Sequence, residues 1–435
     1  MKLIMGEEKL IVQGIRPEEQ LWGAYQFPHA YKTDDGIVVS VHVTDDNISS
    51  FSQDTKRWFK STDNGESWTE TDVSVSSKCG FAMPNGDRLY FPQTASKDVS
   101  RYEFTPMAYM TPATDMKKAA SEGKIPLQDG LTFDIGGNLI YAYNADRLPP
   151  SLRDKNWLAI RTDSVSGKVT EEYIPLDWPY LTRVVYVKGE RKLMRSVFPH
   201  GSAKIAPDGS VWISTYSGDG HINPETGLYS PYYSAEIFRS TDNGHSFSLH
   251  CHMEYPADGS EDFPYLSGGF SDNDFEFMAD GTVVWFLRSA WYGRTGYEWS
   301  PMYIARSADG GKTWSKPEKF SFTGIFPSAC RLENGVSLVC YARPGIFVSA
   351  CDDDSGKDWS ETIEIMTPGD RSQLANIIPE KDKVKFHDWD GACNNPVILP
   401  ISDDSALIFY SDFYYPDKDG VKRKSILCRK ITAKK

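Results

Sequence analysis

Apolar residues in this chain come in short runs that keep the two-residue period of a strand, and Asp-Gly or Asn-Gly pairs punctuate the runs. An apolar strand, a tight turn that admits positive φ and a second apolar strand together make a β-hairpin. Four such hairpins centre on Asp35-Gly36, Asp208-Gly209, Asp280-Gly281 and Asn334-Gly335, and poorer ones on Asn85-Gly86 and Asp403-Asp404. A second pattern recurs between them: Ser61-Thr62-Asp63-Asn64-Gly65-Glu66-Ser67-Trp68, Ser240-Thr241-Asp242-Asn243-Gly244-His245-Ser246-Phe247 and Ser307-Ala308-Asp309-Gly310-Gly311-Lys312-Thr313-Trp314. A weaker copy is Asp352-Asp353-Asp354-Ser355-Gly356-Lys357-Asp358-Trp359. Each strong copy follows a strand-like run ending in Lys60, Arg239 or Arg306. The Asp carboxylate accepts bonds from amides just ahead, the Gly takes a positive φ, and the aromatic enters the next strand as a plug between neighbouring sheets. Asp63, Asp242, Asp309 and Asp354 are therefore read as turn formers, their carboxylates already occupied by backbone.

An inner hairpin followed by an outer turn makes a four-stranded blade, and repetition of that unit predicts a radial array of similar sheets. The predicted fold is all-β, a six-bladed β-propeller forming a single domain over residues 1–435, with an insertion around 96–128. Seven blades are the alternative, with Gly136-Gly137-Asn138-Leu139-Ile140-Tyr141 as a further inner hairpin and Arg161-Thr162-Asp163-Ser164 as its loose outer turn. One short helix is expected at Asp115–Glu122, inside the insertion. The strands Lys9–Val12 and Lys424–Ile431 are expected to complete one blade between them, because closure removes an exposed sheet edge.

Composition narrows the partners. Aromatics reach 13% of 435 residues, with 12 Trp and 23 Tyr, which suits many short strands and a carbohydrate-facing surface. A net charge of −13 disfavours binding to a phosphate backbone, so nucleic acid is not expected. No apolar run approaches the roughly 18 residues of a membrane helix, and the opening Met1–Glu8 is too short and too charged for a signal peptide. A soluble protein is expected, cytoplasmic or secreted or periplasmic with its leader removed, and its oligomeric state is left open. Seven Cys, odd in number and without a C-x-x-C pair, read as buried free thiols. No His pair stands at metal-ligand spacing, so neither metal nor cofactor is implied.

In a propeller the innermost strands converge on the axis, and candidate chemistry belongs where they start. That rule selects Gln26 and His29 before the first hairpin, His200 before the third, and Asp272, Asp274 and Glu276 before the fourth. It adds Arg288 after the fourth, Arg343 after the fifth and Asp390–Asn395 before the sixth. Strand alternation puts Asp272, Asp274 and Glu276 on one face, an arrangement that is costly without partners. Arg288 and Arg343 suit bidentate anion binding or a salt bridge at a strand end. His200 and His29 suit a general base, a sugar ligand or a satisfied structural imidazole.

The four turns resemble Asp-box, or BNR, repeats, and over most of its length the chain resembles the sialidase superfamily. That resemblance implies a six-bladed propeller with three Arg on a substrate carboxylate, an Asp acid/base and a Tyr nucleophile activated by a Glu. Arg288 and Arg343, the latter in Tyr341-Ala342-Arg343-Pro344-Gly345, match the second and third Arg. Gln26, in Tyr25-Gln26-Phe27-Pro28, stands where the first is expected, and a neutral amide supplies no charge to a carboxylate. Asp45 and Asp46 occupy the loop of the acid/base, and Asp272, Asp274 and Glu276 the place of the activating Glu. Asp390–Val397 holds no Tyr at the nucleophile's place, and Tyr410 lies a strand later.

The expected function is that of a sialidase-like exo-acting glycoside hydrolase removing a terminal sugar, an acidic one if Arg288 and Arg343 hold it, with classical sialidase action disfavoured by Gln26. One alternative is a hydrolase or lyase for rhamnose-, arabinose- or uronate-containing glycans that uses His200 or His29 with a Tyr. Another is a non-catalytic glycan-binding propeller with Trp291 and Trp299 at its rim.

Overall fold

A computed structural model of the protein describes residues 1–14, 24–44, 55–71, 79–92, 97–98, 133–135, 138–144, 156–178, 181–187, 190–194, 199, 202–217, 221–222, 229–230, 232–265, 267–291, 300–342, 345–366 and 396–435. Asp45, Asp46, His200, Arg343, Asp390–Asn395, Trp299 and the expected helix at Asp115–Glu122 lie outside these residues.

Every regular element described is a strand, so the chain is all-β. Each of the six predicted inner hairpins opens an antiparallel quartet. Quartet 1 runs Ala24–Thr33, Gly36–Thr44, Thr55–Ser61, Thr69–Glu70, and quartet 2 runs Phe81–Ala82, Arg88–Tyr90, Asn156–Thr162, Val169–Asp177. Quartet 3 comprises Ala203–Ile205, Val211–Ser217, Ser234–Ser240 and Phe247–Met253, and quartet 4 Ser267–Phe277, Val283–Trp291, Met302–Ser307 and Glu318–Ser321. Quartet 5 has Ile325–Arg331, Ser337–Ala342, Ile346–Cys351 and Ile363–Met366. Quartet 6 has Val397–Ser402, Ser405–Pro416 and Lys422–Lys434, and the N-terminal strand Lys2–Gln13 is its fourth member. The expected joining of the two chain ends is thus present, with Lys2 opposite Lys434 and Leu10 opposite Leu427.

Quartets 2 and 3 merge into one eight-stranded sheet through a short parallel ladder, Leu176 with Phe247 and Asp177 with Ser248. The strands Lys97–Asp98, Phe133–Ile135, Asn138–Asn144, Leu181–Val187 and Glu190–Met194 build a separate five-stranded sheet. The stretch Asn138–Tyr141 of the further hairpin belongs to that sheet, whereas the Arg161–Ser164 turn joins two strands of quartet 2. The two features combined in the seven-blade alternative therefore sit in different sheets.

The chain divides into two compact units, one of Met1–Phe81, Asp274–Arg288 and Thr295–Lys435, the other of Ala82–Asn273 and Ser289–Arg294. In the first unit, three apolar clusters join sequence neighbours: quartet 4 to quartet 5 around Phe286 and Tyr341, quartet 5 to quartet 6 around Leu338 and Ile408, and quartet 6 to quartet 1 around Phe409 and Val39. The strands Ser337–Ala342 and Ser405–Pro416 therefore feed a different cluster from each face. Along Leu407-Ile408-Phe409-Tyr410, Leu407 and Phe409 enter one cluster while Ile408 and Tyr410 enter the other. This two-sided burial explains why the strands read as near-continuous apolar runs.

The outer turns behave as their residue types predict. Ser61 Oγ donates to Asp63 Oδ1 at 2.7 Å and accepts from the Gly65 amide at 2.8 Å, while Asp63 accepts from the Ser67 amide at 3.0 Å and from Ser67 Oγ at 2.5 Å. Asp242 and Asp309 repeat the arrangement with Ser246 and Thr313. Bonds from the Ser67 hydroxyl and amide, then from Ser61, hold the Asp63 carboxyl at about 2. The fourth copy corrects the expected register: Asp353, not Asp354, accepts from the Lys357 amide and from Ser355 Oγ, both at 2.7 Å. Cys351 closes its strand as Ser61 does, and one extra residue then precedes the Gly.

The box glycines meet neighbouring sheets. At Gly65 φ is +91°, and a Cβ there would stand 2.5 Å from Leu407 Cδ1 of quartet 6; at Gly244, with φ +77°, it would stand 2.4 Å from Leu89 Cδ1 of quartet 2. The box aromatics fill the same junctions, Trp68 against Phe409, Trp359 against Phe286 and Phe247 against Trp157. The six described Cys are buried. No helix among the described residues is long and apolar enough to cross a membrane.

Candidate functional site

The innermost strand of quartet 4, Ser267–Phe277, is buried along almost its whole length. Asp272, Asp274 and Glu276 are 3%, 1% and 7% exposed, deep enough that each carboxylate needs polar company. Alternation holds here. Asp274 Oδ2 accepts the Ala329 amide of quartet 5 at 2.7 Å and its Oδ1 accepts the Phe275 amide at 2.9 Å. The intervening Asn273 turns the other way, its Nδ2 donating to the Thr215 carbonyl at 2.7 Å and to the Ser271 carbonyl at 3.0 Å. Arg288 is half-buried on the hairpin partner strand, opposite Met302 of the next.

Asp274 thus spends both oxygens on backbone amides, which makes it a strut between two inner strands. Asp274→Ala leaves the buried Ala329 amide without its acceptor and is expected to cost about 2 kcal/mol in urea unfolding, while Asp274→Asn, which keeps one acceptor, costs less. Equal losses in the two variants would remove the strut role.

The inner strands of quartets 1 and 5 share an unusual device. Gln26 pairs with His42 and His29 with Ser40, so Phe27-Pro28 bulges opposite Val41 alone. Ile325 pairs with Ala342 and Ser328 with Cys340, so Phe326-Pro327 bulges opposite Tyr341 alone. Both Phe have φ of 49°, in the left-handed region that a bulky residue before proline rarely enters. Their rings meet at 6.2 Å between centroids. The Phe27 ring lies 5.6 Å from that of His42, which lies 5.8 Å from that of His29. Phe27, Phe326 and His29 are half-buried, and His42 is buried.

Of the residues expected at the site, the structure thus brings His29 into a ring cluster with His42, and sets Asp272, Asp274 and Glu276 on one strand beside the strand of Arg288. Gln26 has its backbone placed opposite His42. Ile325–Arg331 connects the two groups, carrying Phe326 toward Phe27 and, three residues on and so about 10 Å away, Ala329 toward Asp274. His42 and Phe326 were not singled out from sequence. Phe326-Pro327 is one of five Phe-Pro pairs and does not stand out among them, whereas Ser40 and His42 do interrupt the apolar run Ile37–Val43.

A second polar cluster also went unselected. In quartet 3, Glu236 stands between Thr215 and His252 on adjacent strands and is fully buried. Its Oε1 accepts from Ser234 Oγ at 2.7 Å and lies 3.5 Å from His252 Nδ1, while His252 Nε2 lies 3.6 Å from Glu254. Burial alone pushes His252 toward neutrality, but Glu236 and then Glu254 outweigh it and raise its pKa to about 9.

No family model matches the chain, and no curated protein matches it. Among solved structures, the chain is similar to a protein of unknown function from Dyadobacter fermentans, at 17% identity and a TM-score of 0.57 over 99% of both chains. It is also similar to Trypanosoma rangeli sialidase in complex with the inhibitor DANA, at 10% identity and a TM-score of 0.42, covering 98% of this chain and 59% of that one. A third is the NanB sialidase from Streptococcus pneumoniae, at 12% identity and a TM-score of 0.45, covering 98% of this chain and 71% of that one. The first is a likeness of fold, and the two sialidase likenesses are looser still.

Proposed function

We propose that the protein is an exo-acting glycoside hydrolase, built as one six-bladed propeller of sialidase type over residues 1–435 with an insertion around 96–128. The observation that carries the reading is the set of buried carboxylates on the strand Ser267–Phe277, beside the strand that ends its apolar run at Arg288. Arg288 and Arg343 grip an anionic group of the terminal sugar. Asp45 or Asp46 protonates the leaving oxygen, and Asp272 or Glu276 serves as base or nucleophile. Gln26, His29 and His200 bond sugar hydroxyls, His200 also standing as a candidate base. With Gln26 in place of a cation, the substrate is a terminal sugar other than an ordinary sialic acid.

A screen of 4-methylumbelliferyl glycosides spanning neutral sugars, uronates and the sialoside tests this. Release is expected from at least one non-sialoside and is expected to be weak from the sialoside. Silence across the panel would sink the hydrolase reading. Binding without turnover is the second reading, favoured by the engagement of Asp274 on backbone amides and by the lack of a Tyr in Asp390–Val397.

A further inference from the structure

We propose that Phe27 and Phe326 form an angled aromatic platform, one ring stacking on the apolar face of a pyranose while the other lines its side, with His29, beyond His42, as hydrogen-bonding partner to a sugar hydroxyl. The inference rests on the reading of the ligand as a carbohydrate, and it assigns a specific recognition role to residues outside the proposed acid/base and arginine set.

Three observations carry it. First, the same strained geometry occurs twice: two Phe, both at φ 49°, both followed by proline, both at a bulge of an innermost strand. A residue held in a sparsely populated backbone region persists only where the surroundings enforce it, and such residues cluster at ligand sites. Gly or Asn would relieve the strain at either position, so what Phe contributes there is its ring. Second, the two bulges belong to quartets that are not sequence neighbours, yet the rings meet at 6.2 Å, tilted by 60° so that they enclose an angle, and stay half-buried. Each keeps part of its surface open, unlike the sealed Phe286 and Phe409 of the sheet junctions. Third, polar groups continue the platform beyond Phe27, where the rings of His42 and then His29 follow. The face of a phenyl ring is negative and its edge positive, so the C–H bonds of a sugar's apolar face, polarised by the ring oxygens, are attracted to it. A sugar settled this way turns its hydroxyls toward its edge, on the side where His42 and then His29 follow Phe27.

The test is saturation-transfer difference NMR with methyl pyranosides as probes: the galactoside, glucoside, glucuronide and sialoside, which carry no aromatic aglycone. With the wild type, transfer is expected to concentrate on the C–H protons of one sugar face for at least one probe. Phe27→Leu and Phe326→Leu keep apolar volume but lose the π face, and each should weaken binding by about tenfold. Phe27→Tyr keeps the face and should bind as the wild type does, while near-ultraviolet circular dichroism confirms the fold of each variant. Leu variants that bind as tightly as the wild type would overturn the platform, as would a wild type that shows no transfer from any probe. Binding that depends on both Phe without turnover of any glycoside supports the platform and sinks the hydrolase reading. Turnover with KM unchanged in both Leu variants does the reverse.

Discussion

Arg161→Met is expected to destabilise the protein by about 3 to 5 kcal/mol, the scale set by breaking a buried ion pair from one side. Arg161 is a central tie of the second unit. Its Nε donates to Glu172 at 2.8 Å, its Nη1 to Asp87 at 3.2 Å and to the Asn243 carbonyl at 3.0 Å, and its Nη2 to the Gly244 carbonyl at 3.0 Å. The side chains of Arg161 and Asp87 are 8% and 7% exposed, so water does not replace what methionine removes. Methionine fills much of the volume, which isolates the loss of charge and donors. Asp87 keeps the Ser164 amide and Asn85 Nδ2, so the cost arises from two carboxylates made poorer, buried Asp87 and the more exposed Glu172, and two box carbonyls left bare. Burial tends to raise the Asp87 pKa, but the Ser164 amide, Asn85 and Arg161 outweigh it and the net shift is downward. Its contribution is therefore present above the ordinary Asp range and is lost as pH falls through the lowered folded-state value. Urea unfolding at pH 7 measures the loss, and hydrogen exchange at the Asn243 and Gly244 amides should report the opening of the box turn. Arg161→Lys should not rescue, because one ammonium cannot span four acceptors in a planar fork. A loss under 1 kcal/mol would show that the carbonyls find other donors.

The second large effect is a stability that declines in alkali. His252 titrates at about 9 in the fold against 6.5 unpaired. A raised folded-state pKa means stability that is fully present below about 6.5 and is lost as pH rises through 9. At 1.36 kcal/mol per pKa unit, the full effect is about 3 kcal/mol. Other groups titrate in this range, so the informative quantity is the difference between wild type and His252→Gln. That difference should shrink by about 3 kcal/mol between pH 6 and pH 10 in urea unfolding. Glu236→Gln removes the charge that holds the proton and should abolish most of the same slope. A wild-type-minus-variant difference that stays flat across the range would mean that His252 is neutral in the fold.

Local order was highly legible in the sequence, and for a chemical reason. The bonds of an outer turn lie within seven residues, from Ser61 to Ser67, and the types Ser, Asp, Gly and Ser or Thr each have one mechanical job in it. Even there, one residue of register escaped. Asp353 rather than Asp354 holds the fourth turn, because three consecutive Asp offer the same donors a choice that only the end of the preceding strand decides. The candidate site was legible as positions and not as partnerships. Alternation correctly opposed Asp274 to Asn273, yet nothing within the strand identifies Ala329, 55 residues on, as the group that Asp274 serves. Likewise Phe27-Pro28 and Phe326-Pro327 are both visible in the sequence, whereas their meeting is not.

What the sequence by itself determined is the all-β class, the six hairpins, the outer turns and the joining of the N- and C-terminal strands in one sheet. These follow from two-residue periodicity, from the φ freedom of glycine and from carboxylates reaching nearby amides, all short-range effects. Tertiary structure alone decided which carboxylate is a strut, which arginine locks a neighbouring turn and which aromatic rings meet. Those outcomes depend on how twisted sheets pack, where residues such as Arg161 and Gly244, 83 positions apart, come within hydrogen-bonding distance. Packing at that range is a property of whole sheets, and no local spacing encodes it.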